Sequence, residues 1–231
     1  MTNIEAALNE LLAFSIFSDC TKSQMADLCH DGKIIFSSHK ERIIHFGEEA
    51  HFFGIVLSGA YKLSKPSFQG EDVIVHFSTP GDVIAAFIMA QPKPLYPVSA
   101  TSMGPSRFLK IPKEVYLTQW KKNPDLIFKI QNLLSTRMNL LQQNKALHKA
   151  PLTQKIATLL MNLIEIHPSD EGLVLPLPLT RKEIADSVGA TPESVIRIMS
   201  DWSKQGFLQT NDQTIKILRP DKIIEIVENI D

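Results

Sequence analysis

The spacing of hydrophobic and polar residues changes three times along the chain. Near the start, Ala6, Leu8, Leu11 and Leu12 recur at helical spacing behind Thr2 and Glu5, which stand three apart as in a capping box. That pattern predicts a short amphipathic helix, and a helical turn or two is predicted around Thr21 to Leu28. From Lys33 to Ile111 the pattern shortens to β-rich runs: KIIFSS, ERIIHF, FFGIVLSG, AYKLSK, DVIVHFS, YPVSATS and RFLKIP. Between them lie the turn signals Phe46-Gly47-Glu48, Ser58-Gly59, Gln69-Gly70 and Pro80-Gly81-Asp82. Many short strands in succession predict an antiparallel sandwich or barrel.

Helical spacing returns at Pro112 and strengthens after Asn123-Pro124, where Asn caps and Pro takes the first helical position. Leu126, Leu133, Leu140 and Leu147 recur every seven residues, with Ile127, Leu134 and Leu141 as a second row beside them. One long helix carries both rows, and its apolar stripe is too wide for a single neighbour to cover. The expectation is a coiled-coil seam with a second subunit, made by Leu126, Ile130, Leu133, Arg137, Leu140, Asn144 and Leu147, plus a flank packed on the β domain. Asn144 would set the register. An internal bundle helix is the alternative. Ala150-Pro151 ends the helix, because proline lacks a donor and restricts the residue before it. The predicted organisation is therefore a β domain over 1–123, a dimerisation helix and hinge over 124–150, and a third region over 151–231. In that third region Leu152 to Ile166 is helical, His167 to Gly172 is a loop, and LVLPLPL is extended, its two prolines confining it to an edge.

The most informative passage is LTRKEIADSVGATPESVIRIMSDWSKQGF, which begins at Leu179. Thr180 can cap a short helix with Ile184 and Ala185 inward, and Gly189 supplies a tight turn. Thr191 caps again, Pro192 opens a second helix, and Val195, Ile198, Met199 and Trp202 form its inward face. This is a helix-turn-helix. The two extended runs of GFLQTNDQTIKIL around Asn211-Asp212 predict a hairpin wing after it. Glu193, Ser194, Ile196 and Arg197 remain outward near the start of the second helix. Glu193 and Arg197 are one turn apart and can enter a major groove together, Arg donating twice to guanine and Glu accepting from cytosine N4. Alternatively they form an i, i+4 surface ion pair worth a few tenths of a kcal/mol. Thr180, Arg181, Thr191 and Lys204 complete the candidate DNA-binding set.

Charge alone does not predict nucleic-acid binding. The chain of 231 residues has 24 Lys plus Arg against 25 Asp plus Glu, and residues 151–231 hold 8 basic and 12 acidic side chains. The DNA reading therefore rests on the local motif, with Arg181, Lys182, Lys204 and Lys216 flanking the groove and Glu225, Glu228 and Asp231 placed away from it on a last helix. No apolar stretch approaches membrane-span length and no secretory signal is visible, so the expected location is the cytoplasm. Cys20 and Cys29 read as structural thiols, and no four-cysteine cluster site exists.

That passage, together with GEEAHFFGIVLSGAYKLSKPSFQGEDVIVHFSTPGDV, resembles the Crp/Fnr family of bacterial transcription regulators. The order of β-roll, long helix, hinge and winged helix matches over nearly the whole chain. The resemblance implies an α+β fold with an N-terminal antiparallel, jelly-roll-like β-roll, a long dimerisation helix and a C-terminal winged helix-turn-helix. It also implies a cytoplasmic homodimer that reads inverted half-sites in double-stranded DNA and works with RNA polymerase. Glu193 and Arg197 match the family's base-contacting pair. Ile196, between them, is Gly or Ser in the best-known members, so the half-site is expected to differ at one base.

The effector pocket implied by the resemblance comprises Ala85, Ala86, Leu95, Tyr96, Pro97, Val98, Leu140 and Leu141. Cyclic-AMP binders of the family carry a Gly-Glu pair, an Arg-Ser pair and helix hydroxyls at those places. Without an arginine a buried phosphate would lack the bidentate pairing that offsets its desolvation, which argues against cyclic AMP. The run YPVSATS resembles Fnr-like branches that answer to redox or nitrogen-oxide signals, some through haem. The cofactor stays unassigned, with haem as a candidate and His39, His45, His51, His76 and His148 as ordinary solvated or hydrogen-bonded histidines. Of readings from other classes, a cupin-type metal enzyme needs two histidines one residue apart plus a Glu, a spacing His45, His51 and His76 lack. A cyclic-nucleotide-binding-like regulatory protein would dispense with the helix-turn-helix. No catalytic constellation is present, so no enzyme is predicted.

Overall fold

The alternating runs between Lys33 and Pro112 form, among the described residues, eight strands: β1 Lys33–Ser37, β2 Arg42–Ile44, β3 Phe52–Ser58, β4 Tyr61–Pro66, β5 Asp72–Ser78, β6 Val83–Ile84, β7 Ser99–Ser102 and β8 Ser106–Pro112. The structure is a computed structural model and describes residues 4–67, 72–166 and 173–228. The strands make two four-stranded sheets, ordered β1-β8-β3-β6 and β2-β7-β4-β5. Residues from both sheets, among them Phe53, Ile55 and Phe108 of one and Ile44, Tyr61 and Ala100 of the other, share a single core. Such a two-layer antiparallel arrangement is what half-buried alternating strands require. Gly54 permits the closest approach: a Cβ there would lie 2.1 Å from the Leu109 carbonyl oxygen.

Three helices close this β-roll. They are α1 Ile4–Leu12, α2 Lys22–Leu28 and α3 Lys113–Thr118. The capping box of α2 pairs Thr21 with Gln24, whereas Thr2 of the predicted first cap lies outside the described residues. Arg107 of β8 donates two hydrogen bonds, at 3.2 and 3.1 Å, to the Glu10 carboxylate of α1. Trp120 is fully buried, packs edge-on against Phe53 at 4.7 Å and donates from Nε1 to the Leu28 carbonyl.

The long helix α4 spans Pro124–Ala146, and Asn123 Oδ1 accepts from the Leu126 N–H at 3.1 Å as its cap. Leu126 and Ile130 belong to the β-roll core, with Ile127 and Leu134 packed against it. This corrects their assignment to a subunit seam. The β-roll takes the first two positions of the predicted seam. Leu133 and Leu140 are half-buried and Leu141 is exposed; the side chain of Asn144 lies outside those described.

By its contacts the chain divides into two compact units, Met1–Glu71 with Val75–Asn139, and Asp72–Ile74 with Leu140–Asp231. The second unit contains α5 Leu152–Ile166, α6 Arg181–Val188, α7 Pro192–Lys204, β9 Leu208–Asn211, β10 Thr214–Ile217 and α8 Pro220–Glu228. Its hairpin turns at Asp212 and Gln213, both at positive φ, which matches the twist of the flanking strands. The proline-bearing segment from Leu173 runs along β10: Leu175 N–H donates to Ile215 O and Leu179 N–H to Gln213 O. Leu175, Leu177 and Leu179 are buried, so Pro176 and Pro178 fall at the alternate positions of an edge, where no donor is missed.

Candidate DNA-recognition helix and sensor region

Local chemistry fixes both ends of the turn between α6 and α7. Thr180 Oγ1 accepts from Glu183 N–H while Glu183 Oε2 accepts from Thr180 N–H, a reciprocal capping box. Gly189 ends α6 in the left-handed region at φ 69°, and a Cβ there would meet nothing within 4 Å, so its backbone conformation is the reason for the glycine. Thr191 accepts from Ser194 N–H and Pro192 stands in the first turn of α7.

The buried face of α7 consists of Val195, Met199 and Trp202. Glu193, Ile196, Arg197 and Ser200 are exposed at the i, i+3, i+4, i+7 positions of the opposite face. On α6 the i, i+4 pair Lys182–Asp186 closes at 3.3 Å. Among the described residues neither Glu193 nor Arg197 makes an ion pair or hydrogen bond. The expected alternative, a surface ion pair between them, is not formed. Arg181 is placed differently from the expectation of a free flanking cation: its Nη2 donates to Thr210 Oγ1 of β9 at 2.8 Å, and burial lowers its pKa. It pins the start of α6 to the wing. Lys204, in the last turn of α7, and Lys216 of β10 are exposed. Glu225 and Glu228 lie on α8 as expected; Asp231 lies outside the described residues.

In the β-roll, Ala85 adopts φ 68° at the start of a short 3-10 turn, and Ala85 and Ala86 are both buried. Neither offers a carboxylate. Tyr96 is buried, with its hydroxyl donating to Phe52 O at 2.8 Å and its ring 5.5 Å from that of Phe52. Its N–H bonds Glu48 O, and Leu95 bridges Glu49. The 95–97 segment is thus tied to the 47–50 turn, leaving Leu95 and Pro97 exposed and Val98 half-buried.

The cation that does reach the Gly81-Asp82 turn comes from α4. Arg137 Nη2 donates to Asp82 Oδ1 at 2.7 Å, and their side chains are only 16% and 7% exposed. Asp82 Oδ2 also accepts from Thr79 N–H. Arg137 Nε is buried without a hydrogen-bond partner among the described residues. Arg137, too, was expected in a subunit seam. The sequence carried a signal for its true place, since the one cation in a mostly apolar row demands a buried counter-charge. Of the histidines, His39 Nδ1 bonds Met103 O, His45 and His51 are exposed, His76 is half-buried on β5, and the side chain of His148 lies outside those described.

Residues 36–123 match the cyclic nucleotide-binding domain model, and residues 154–226 match the Crp-like helix-turn-helix domain model. The chain belongs to the Crp/Fnr family. It is a DNA-binding transcription regulator of the Crp/Fnr type. Similar proteins include the CRP-like cAMP-activated global transcriptional regulator of Mycobacterium tuberculosis, 22% identical over 214 residues, covering 91% of this chain and 95% of that protein. Another is the nitrogen fixation regulation protein FixK of Bradyrhizobium diazoefficiens, 23% identical over 212 residues, covering 90% and 88%. In fold the chain is similar to FixK2 from Bradyrhizobium japonicum, with a TM-score of 0.74 at 18% identity over 87% of this chain and 99% of that one. No helix among the described residues is long and apolar enough to cross a membrane.

Proposed function

We propose that this Crp/Fnr regulator works as a homodimer that reads an inverted repeat through the exposed face of α7, with Glu193 and Arg197 contacting bases. The observation that carries this reading is the unpaired state of those two side chains on a helix capped by Thr191. A buried face anchors the helix, and an i, i+4 ion pair does form nearby on α6. Glu193 sits in the first turn, where the helix dipole favours a carboxylate, and reaches cytosine from there. Ser194 and Thr180 stand at the N-termini of the two helices, where backbone N–H groups and hydroxyls meet phosphate, and Lys204 adds a phosphate contact. Selection from a randomised duplex library tests the proposal: a two-fold symmetric consensus is the expected result, and an asymmetric or featureless one overturns it.

We infer that the partner subunit packs along α4 beyond Leu126 and Ile130, the positions that belong to the β-roll core. Leu133, Leu140 and Leu141 of α4, with Leu147 just beyond its end, would form that seam, with Asn144 as the polar register position. Leu140→Asp would place a carboxylate in that seam, and sedimentation at micromolar concentration should then show a monomer.

The signal is read as one other than cyclic AMP, acting on the sensor unit and, as the family implies, altering work with RNA polymerase. The supporting observations are the buried alanines at 85 and 86, the tethered Tyr96, and the engagement of Arg107 by Glu10 and of Arg137 by Asp82. A cyclic phosphate entering this region would have to break an existing pair to find a guanidinium. Calorimetry with cyclic AMP should show no binding at micromolar concentration.

A further inference from the structure

Val195, Met199 and Trp202 supply the buried face of α7, and Ile196 takes no part in it. It stands 49% exposed on the helix surface, flanked by Glu193 and Arg197. Local propensity gives no reason for it, because a β-branched residue is a poorer helix former than the Glu193 and Arg197 that flank it. What a branched side chain does supply is a stiff χ1, so its methyl groups hold one position without a large entropic penalty on contact.

We propose that Ile196 reads the C5-methyl group of a thymine in each half-site. This rests on the reading of α7 as the base-contacting helix. The floor of a major groove is lined with hydrogen-bond donors and acceptors, and the thymine methyl is its distinctive apolar feature. An isoleucine carried into the groove between two charged neighbours has that one surface to bury against. Glu193 lies three residues before Ile196 and Arg197 directly after it. The thymine is therefore next to, or one step from, the base pairs those two residues contact. A serine or glycine at this position would leave the methyl in water and accept other bases.

The test uses the wild-type protein and the duplex recovered by selection. Each thymine of the site is replaced in turn, in both half-sites, by deoxyuridine. Pairing is preserved and only the methyl is lost. Burial of one such group is worth about 0.8 kcal/mol, so affinity should fall about fourfold per half-site and about sixteenfold for the symmetric replacement, at one position only. Ile196→Ser should bind the thymine and uridine duplexes equally and recover a selection consensus degenerate at that position. The side chain is on the surface, so the variant keeps its fold. If no thymine is sensitive to loss of its methyl, or if Ile196→Ser keeps the full sensitivity, the proposal is overturned. Arg197→Ala run on the same duplexes separates the two levels. A flat uridine scan with a relaxed guanine preference in Arg197→Ala removes the thymine contact alone, whereas no effect in either removes base reading by α7 as well.

Discussion

The sensor unit and the recognition helix treat their charged groups in opposite ways. In the β-roll, Arg107 is held by Glu10 through two hydrogen bonds and Arg137 by Asp82 at 2.7 Å, and the Tyr61 hydroxyl meets Ser37. On α7 the exposed Glu193 and Arg197 are left without partners among the described residues, although the neighbouring helix closes a pair at the same spacing. The difference teaches where to look for function. A charge satisfied inside the protomer works on architecture. A charge held on a rigid, capped helix and left open is available to a partner molecule.

Arg137→Ala breaks the comparison most severely. It leaves the buried Asp82 carboxylate without its cation, and should destabilise the sensor unit by about 3 to 5 kcal/mol in chemical denaturation. If the pair is only architectural, Arg137→Met with Asp82→Asn should recover most of that loss, since an uncharged pair needs no counter-ion.

Arg197→Ala should do the reverse: no change in the unfolding midpoint, but about 1 to 3 kcal/mol lost at the selected DNA site, with the guanine preference relaxed at one position per half-site. Unchanged site preference and affinity would return Glu193 and Arg197 to the role of ordinary surface charges.

Thr191→Ala tests whether the open face of α7 depends on its anchoring. Loss of the cap should cost about 1 kcal/mol of stability in the second unit and weaken specific binding without altering the consensus.

Alkaline pH gives a sharper probe of the sensor unit. Burial pushes the Cys29 thiol up to about 12. Its folded value lies above its unfolded one, near 8.5, so the protonated thiol favours the native state fully below the unfolded value. That contribution declines as pH rises from there toward 12. Iodoacetamide at pH 8.5 should alkylate the half-buried Cys20 first and reach Cys29 only on unfolding, as peptide mass mapping would show.

The smallest effect belongs to Lys204→Ala. If this exposed lysine meets phosphate, all sequences should weaken about equally and the slope of log affinity against log salt should fall by about one.

Much of the molecule was legible in the sequence because local physics and tertiary structure agree there. The strand runs, the Asn123, Thr180 and Thr191 caps, the Gly189 turn and the proline-marked edge each depend on a few neighbouring residues. The structure realises each as read. The two-residue β6 left no periodic signal, being too short to show alternation. The exposed face of α7 also followed from sequence, since a 3.6-residue period assigns Val195, Ile198, Met199 and Trp202 inward, of which Ile198 is only half-buried, and leaves Glu193, Ile196 and Arg197 outward. Partner choice was decided only in three dimensions. A wide apolar stripe on α4 states that two surfaces must be covered, but not which rows face which neighbour. Only packing showed the β-roll taking Leu126 and Ile130. In the same way Arg137 found Asp82 and Arg181 found Thr210 across 55 and 29 residues of chain. A charge in a sequence specifies that it needs a counter-charge or water, and the fold alone decides which one it receives.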